Sequence, residues 1–366
     1  MSAPGRIVGL DVARCLALLG MVAVHVLPPD TWGHDLAHGR AAALFAVLLG
    51  VTASLWSRRE GAYAGLAVRA GLIAVLGLVL GELESGLAVI LTYYGLLLLL
   101  GLVFLQLTLR ALLVVAGFWI VLAPVLSQLV RPALPERTLD VPSFASLQDP
   151  WQLLTELTLT GYYPAVPWLA YLLIGMAIGR MRLSRRSVHA VLLAAGVALA
   201  VVAIVVSGAL ADPEDVRDAE AGLYGVTPAG GHWSWLLVAT PHSSTPFDLA
   251  QTVGAALAVI GGCLLVGGAL RGRGERAVAV LFGAGTMTLT LYSLHVVLRT
   301  DLFWPPDDDA VASFGWHALV LVWVGALFVA LDRRGPLEQM VGQVAQAASR
   351  WSSQRARLGT RSPRRP

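Results

Sequence analysis

GLDVARCLALLGMVAVHVLPPD, residues 9–30, is apolar over the length of a bilayer, yet it opens with Asp11 and Arg14 and closes with His25. At ~1.5 Å of rise per residue, about 20 apolar residues cross a ~30 Å hydrocarbon core. Residues 7–28 therefore read as a membrane-spanning helix. An ionised side chain inside such a helix costs about 2.5–3.5 kcal/mol unless it is paired or hydrated, so a chain that keeps one generally uses it. Asp11 and Arg14 stand three apart on one helical face, where they can pair. Either they lock the helix into a bundle or they line a route into it.

The rest of the chain has the same character. Of 366 residues, 57% are hydrophobic and 13% are charged, against roughly 45–50% and about 25% in soluble domains. The fold class is all-α and polytopic, and the lipid bilayer is the first partner. Apolar segments of spanning length fall at 7–28, 40–57, 64–83, 87–106, 109–130, 164–181, 188–211, 247–270, 276–299 and 313–332. That predicts a bundle of about ten transmembrane helices, or eleven if the segment after Gly335 inserts. Its glutamines and its length favour a surface position instead. The segment MSAPGRIVGLDVAR lacks the short apolar core and small-residue cleavage site of a signal peptide, so the first helix is expected to stay in the mature protein.

With ten helices both termini share a side, and 20 of the 26 arginines, Arg69 among them, fall on that side. Acidic residues collect in the opposite loops, at GELES, ADPEDVRDAE and PPDDDA. The positive-inside rule then places both termini in the cytoplasm. Every basic residue is arginine, which reads as the codon bias of a GC-rich genome and excludes lysine chemistry. The expected location is a bacterial cytoplasmic membrane. Cys15 and Cys263 lie in apolar runs and form no disulfide framework.

Three regions follow: a single transmembrane domain over 1–334, an amphipathic surface helix over 335–351 and a disordered basic tail over 352–366. Leu337, Met340, Val341, Val344 and Ala348 recur at helical spacing in the second. The bare tail suits anionic headgroups better than nucleic acid, and no nucleic-acid partner is expected. Two outer loops, 131–163 and 212–246, are long and rich in Pro, Trp, Tyr and Gly, a composition that fits either a binding surface or an interfacial aromatic belt.

The histidines are one-sided. His25, His34, His38, His232, His242, His295 and His317 fall on the outer side, and His189 alone does not. Histidine is the usual general base near neutral pH, so the cluster reads as a reaction centre. His25 and His295 both lie about one turn inside the outer boundary, at similar depth. Asp248 is close to that layer, in place to orient an imidazole. No HExxH or CxxC spacing occurs, and no metal is expected. At the inner mouth Arg14 and Arg69 suit a phosphate-bearing ligand.

These residues carry a resemblance. LDVARCLALLGMVAVH (10–25) resembles the first-helix signature of the transmembrane acyltransferases. HDLAHGRAAALFAVLLGVTASL (34–55), YYPAVPWLAYLLIGMAIGR (162–180), HSSTPFDLAQTVGAALAVIG (242–261), GTMTLTLYSLHVVL (285–298) and RRGPLE (333–338) resemble the heparan-α-glucosaminide N-acetyltransferase-like branch, and within it the YeiB-like membrane proteins. Relatives in that branch often carry asparagine where His25 stands; here the position follows the O-acyltransferase branch.

The resemblance implies transfer of an acyl group from cytoplasmic acyl-CoA, such as acetyl-CoA, to a glycan or amine on the far side, with no bound cofactor. A histidine in the loop after the first helix serves the transfer in the N-acetyltransferase relatives, and this loop offers His34 and His38. On this reading His25 or His295 is the base, Asp11, Arg14 and Arg69 shape the donor site, and Tyr292 and His242 line the path. Arg40 either contacts the acceptor or is an exposed helix cap. The rivals are a solute or proton transporter, against which stands the absence of an inverted repeat, and a noncatalytic scaffold. A homodimer is compatible with the sequence.

Overall fold

The computed structural model describes residues 6–138, 140–222, 226–303 and 309–359, and among these the protein is helical with no strand. The chain runs through α1 (Val8–Val26), α2 (Trp32–Ala37), α3 (Arg40–Trp56), α4 (Ala62–Gly81), α5 (Leu91–Gly101), α6 (Leu109–Val130) and α7 (Pro150–Thr155). It continues through α8 (Ala165–Arg180), α9 (Arg186–Leu210), α10 (Pro213–Gly222), α11 (Pro246–Ala269), α12 (Arg273–Leu281), α13 (Thr288–Leu298), α14 (Ala310–Ala330) and α15 (Pro336–Gly359). Side-chain oxygens satisfy the exposed amides where loops enter long helices: Thr108 caps α6, Thr245 caps α11 and Asp309 caps α14.

Among the described residues seven helical runs are long and apolar enough to cross a membrane: α1, Trp32–Trp56, α4, Leu109–Ala133, α9, α11 and α14. An eighth is counted if Pro150–Thr160 and α8 form one span bent by 52°. The expected segments 87–106 and 276–299 are shorter helices. The first is α5 with one further tight turn to Phe104; the second is broken into α12 and α13 by the turn Gly283–Thr286. The cause of that break is steric. Gly285 lies against α1 so closely that a Cβ there would meet the carbonyl oxygen of Asp11, and a regular helix carrying side chains does not fit.

α1 is the centre of the bundle, packed on α11, α3 and the Gly283–Thr286 turn, while α3 lies on α8 and α9 on α11. In α1 67% of the apolar stretch is buried, but only 22% in α6, α9 and α14. Bare apolar faces of that extent are unstable in water and stable in lipid. The thiols of Cys15 and Cys263 are free and buried.

The outer loops divide their aromatics. Trp151 and Trp233 are exposed, whereas Tyr163, Trp168 and Trp235 are buried, with Trp168 edge-on to Tyr163 and Tyr171. α15 buries Val341 and Ala345 and packs along α4. It extends beyond the expected 335–351, so residues 352–359 of the anticipated tail are helical; 360–366 lie outside the described residues.

Candidate active site

At the arginine end, Asp11 is buried and bridged by two guanidinium groups. Arg6 Nε donates to it at 2.6 Å and Arg14 Nη1 at 2.9 Å. Arg14 also donates to Thr52 Oγ1 at 3.0 Å, which ties α1 to α3. Asp11 thus holds Arg14 in place. Arg69 on α4 is different: its guanidinium has no hydrogen-bond partner among the described residues, and the charges that act on it are those of Glu338 and Arg14. A cation in a spanning helix without a bonded counter-ion is costly unless a ligand or water meets it.

Arg14 and Arg69 stand at the neck between two cavities. The wider, about 590 Å³, is lined also by Arg6, Arg333, Arg334, Asp332 and Glu338. The narrower, about 120 Å³, continues inward between Met21, Phe45, Leu48, Ile73, Ile90, Tyr94 and Tyr292. Both share Arg14, Thr52, Arg69, Thr288 and Leu289, so a charged vestibule and an apolar channel adjoin at this wall. The channel's inner end is one helical turn from the histidine layer, since Met21 precedes His25 by four residues and Tyr292 precedes His295 by three. Tyr292 Oη accepts from the Ile90 amide at 3.2 Å, which leaves its own proton free to donate.

At the histidine end, His25 Nδ1 and His295 Nε2 are 3.0 Å apart, their rings stacked at 5.3 Å with planes 2° apart. One ring donates and the other accepts, so the pair shares one proton when both are neutral. His295 is fully buried and its Nδ1 has no hydrogen-bond partner among the described residues. His317, also fully buried, stands edge-on to it at 5.2 Å. A second group adjoins: His38 lies 4.9 Å from His34 and 5.2 Å from His242, and Tyr163 stands 6.0 Å from His242. His232 stands edge-on to Trp235, apart from both groups, and His189 bonds Leu183 at the opposite end. Sequence reasoning counted His317 in the outer cluster but gave it no role, although two turns into α14 it packs against His295. Among the described residues no three His, Cys, Asp or Glu are set to hold a metal.

Asp248 reaches no imidazole. Its carboxylate accepts from the Ser244 amide at 3.0 Å and from Gln251 Nε2 at 3.5 Å, while its own amide donates to Thr245 Oγ1. It belongs to the N-terminal cap of α11. Its influence on the histidines is indirect, because the capped loop holds His242 at φ 63° and Ser244 at φ 51°, left-handed values that cost energy in residues with a Cβ. Arg40 joins the same network, donating to the Asp35 and Leu36 carbonyls and to Gln251 Oε1 at 3.3 Å. His34 contacts Asp35 at 3.2 Å and lies outermost.

Burial pushes the His242 imidazole down to about 3, with His38 and His25 adding to the shift. The unfolded chain takes up that proton near pH 6.5. Between about pH 6.5 and 3 the unfolded state therefore binds more protons, and stability falls as pH falls through that window. Thermal melts at pH 7 and pH 5 are expected to differ less for His242→Gln than for wild type; equal differences would contradict this.

Residues 6–211 match the family model described as heparan-alpha-glucosaminide N-acetyltransferase, catalytic. The chain belongs to this family. No curated protein matches it. Membership supports a membrane acetyltransferase type of function, and as a member of the N-acetyltransferase family the chain carries Arg14, His25, His34, His38 and Arg69 within the matched part. His242, Tyr292 and His295 come from the loop before α11 and from α13, beyond the match, so the site is closed by elements the family model does not cover.

Proposed function

We propose that the protein transfers an acyl group, acetyl foremost, from acyl-CoA on the cytoplasmic side to a saccharide or amine on the extracytoplasmic side of a bacterial cytoplasmic membrane. Both termini and the arginine vestibule face the cytoplasm, a reading supported by the distribution of arginines and acids along the chain. The observation that carries the function is the pair of adjoining cavities. The first lies among arginines, meets the apolar channel at Arg14 and Arg69, and the channel ends one turn from the His25–His295 pair.

That shape matches an acyl-CoA. Its anionic nucleotide end stays among Arg6, Arg333 and Arg334, and its thin pantetheine arm passes the neck. The thioester carbonyl arrives at the Tyr292 hydroxyl, which polarises it by donating a hydrogen bond. The histidine pair takes the proton from the acceptor's N–H or O–H as that atom attacks the carbonyl carbon. The C–S bond then breaks and the proton passes to the thiolate, giving acylated acceptor and free CoA. His38, the inner of the two loop histidines, and His242 border the acceptor.

The test is calorimetry of acetyl-CoA and free CoA with protein in nanodiscs. Wild type is expected to bind both saturably. Arg69→Ala removes a charge-assisted contact of about 1.5–3 kcal/mol and weakens binding about 10- to 100-fold. Arg69 has no bonded partner to leave stranded, so the variant is expected to fold. Folded wild type that binds neither ligand would overturn the donor assignment, and labelled solute crossing the bilayer without thioester loss would favour transport.

A further inference from the structure

We propose that Glu338, on the C-terminal helix, is a positioning residue for the acyl-transfer step, holding α13 so that Tyr292 and His295 meet the end of the channel. The proposal rests on the acyltransferase reading above. α13 has 11 residues and no side-chain cap of its own, since the residue before it is Met287. It follows the glycine-containing Gly283–Thr286 turn, and its first residues, Thr288 and Leu289, form the wall shared by vestibule and channel. A short helix begun this way needs another element to fix its depth and rotation.

Glu338 supplies that restraint from 48 residues further along the chain. Its Oε1 accepts from the amides of Leu289 at 2.7 Å and Thr290 at 3.2 Å, and its Oε2 accepts from Thr290 Oγ1 at 2.6 Å. Thr290 Oγ1 in turn accepts from the Leu337 amide at 3.1 Å. The carboxylate thus fills the place of the missing cap and adds a negative charge at the positive end of the helix dipole. Gly335 lets the two elements close: a Cβ there would meet Glu338 Oε2, Met287 Cβ and Thr290 Oγ1. The consequence lies along α13. Tyr292 comes one turn after the clasp and His295 the next, so a slip of one residue turns both by about 100° and carries His295 away from His25.

The test pairs Glu338→Ala with Glu338→Gln, whose amide oxygen still accepts. Hydrogen exchange of the α13 amides is measured beside acetyl-CoA consumption, read as thiol release with glucosamine as the probe acceptor. In Glu338→Ala the amides from Leu289 to His295 are expected to exchange faster, and kcat to fall about 10- to 100-fold, more than the KM for acetyl-CoA changes. Glu338→Gln is expected to restore most of both. Unchanged exchange and kcat in the alanine variant would overturn the proposal, as would a rise in KM alone, which would make Glu338 a donor contact. Wild type that binds no acetyl-CoA and releases no thiol would instead overturn the acyltransferase reading.

Discussion

Exchange of His295 for alanine is expected to lower acetyl transfer by about 10²- to 10⁴-fold, the usual contribution of a positioned acid or base, while acetyl-CoA binding stays within a factor of about two. The donor channel ends a turn short of the ring, so binding and chemistry separate. His25→Ala is expected to fall in the same range. Because the two rings share one hydrogen bond, they work as a unit, and the double variant should lose little more than either single one. Steady-state kinetics beside calorimetry on the three variants decides the matter. Multiplicative losses would separate the two rings into independent roles, and wild-type turnover in either single variant would remove that ring from the reaction.

How much of this was legible depended on whether a feature was local. Asp11 and Arg14 are one turn apart, and their pairing follows from helix geometry; nothing local marks Arg6 as the second partner or Thr52 as the tether. His25 and His295 were matched only by depth, 270 residues apart; their rings do meet, although α13 is a short helix and, of the two, only α1 is long enough to span. Asp248 was misread for want of a rule already present in the chain. Thr245 and Asp248 stand at the first and fourth positions of a helix start, the spacing of a capping box, and the carboxylate is turned to the Ser244 amide and the Gln251 side chain instead of a ring. Glu338 was illegible, since nothing near it in the sequence names α13 as its partner. The all-helical class and the apolar helices were plain from composition, whereas the count of ten came from hydropathy alone, which does not register a break that keeps its residues apolar.

That break carries the second large effect. Gly285→Val is expected to destabilise the purified protein by at least the ~1–3 kcal/mol typical of overpacking and to lower its melting temperature more than any side-chain substitution in the vestibule, with Gly285→Ala intermediate. The added atoms at 285 would press on the Asp11 carbonyl and lie 3.0 Å from the Cys15 amide. Both are backbone groups of a buried helix with no rotamer to yield. α1 must therefore move or the turn must open, and either motion separates Arg14 from Arg69 and His25 from His295. Loss of acetyl-CoA binding is expected to accompany the loss of stability, in contrast to His295→Ala, which spares the binding. A Gly285→Val protein that melts like wild type would mean that the approach of the two segments is looser than drawn, and the broken helix would then need another cause.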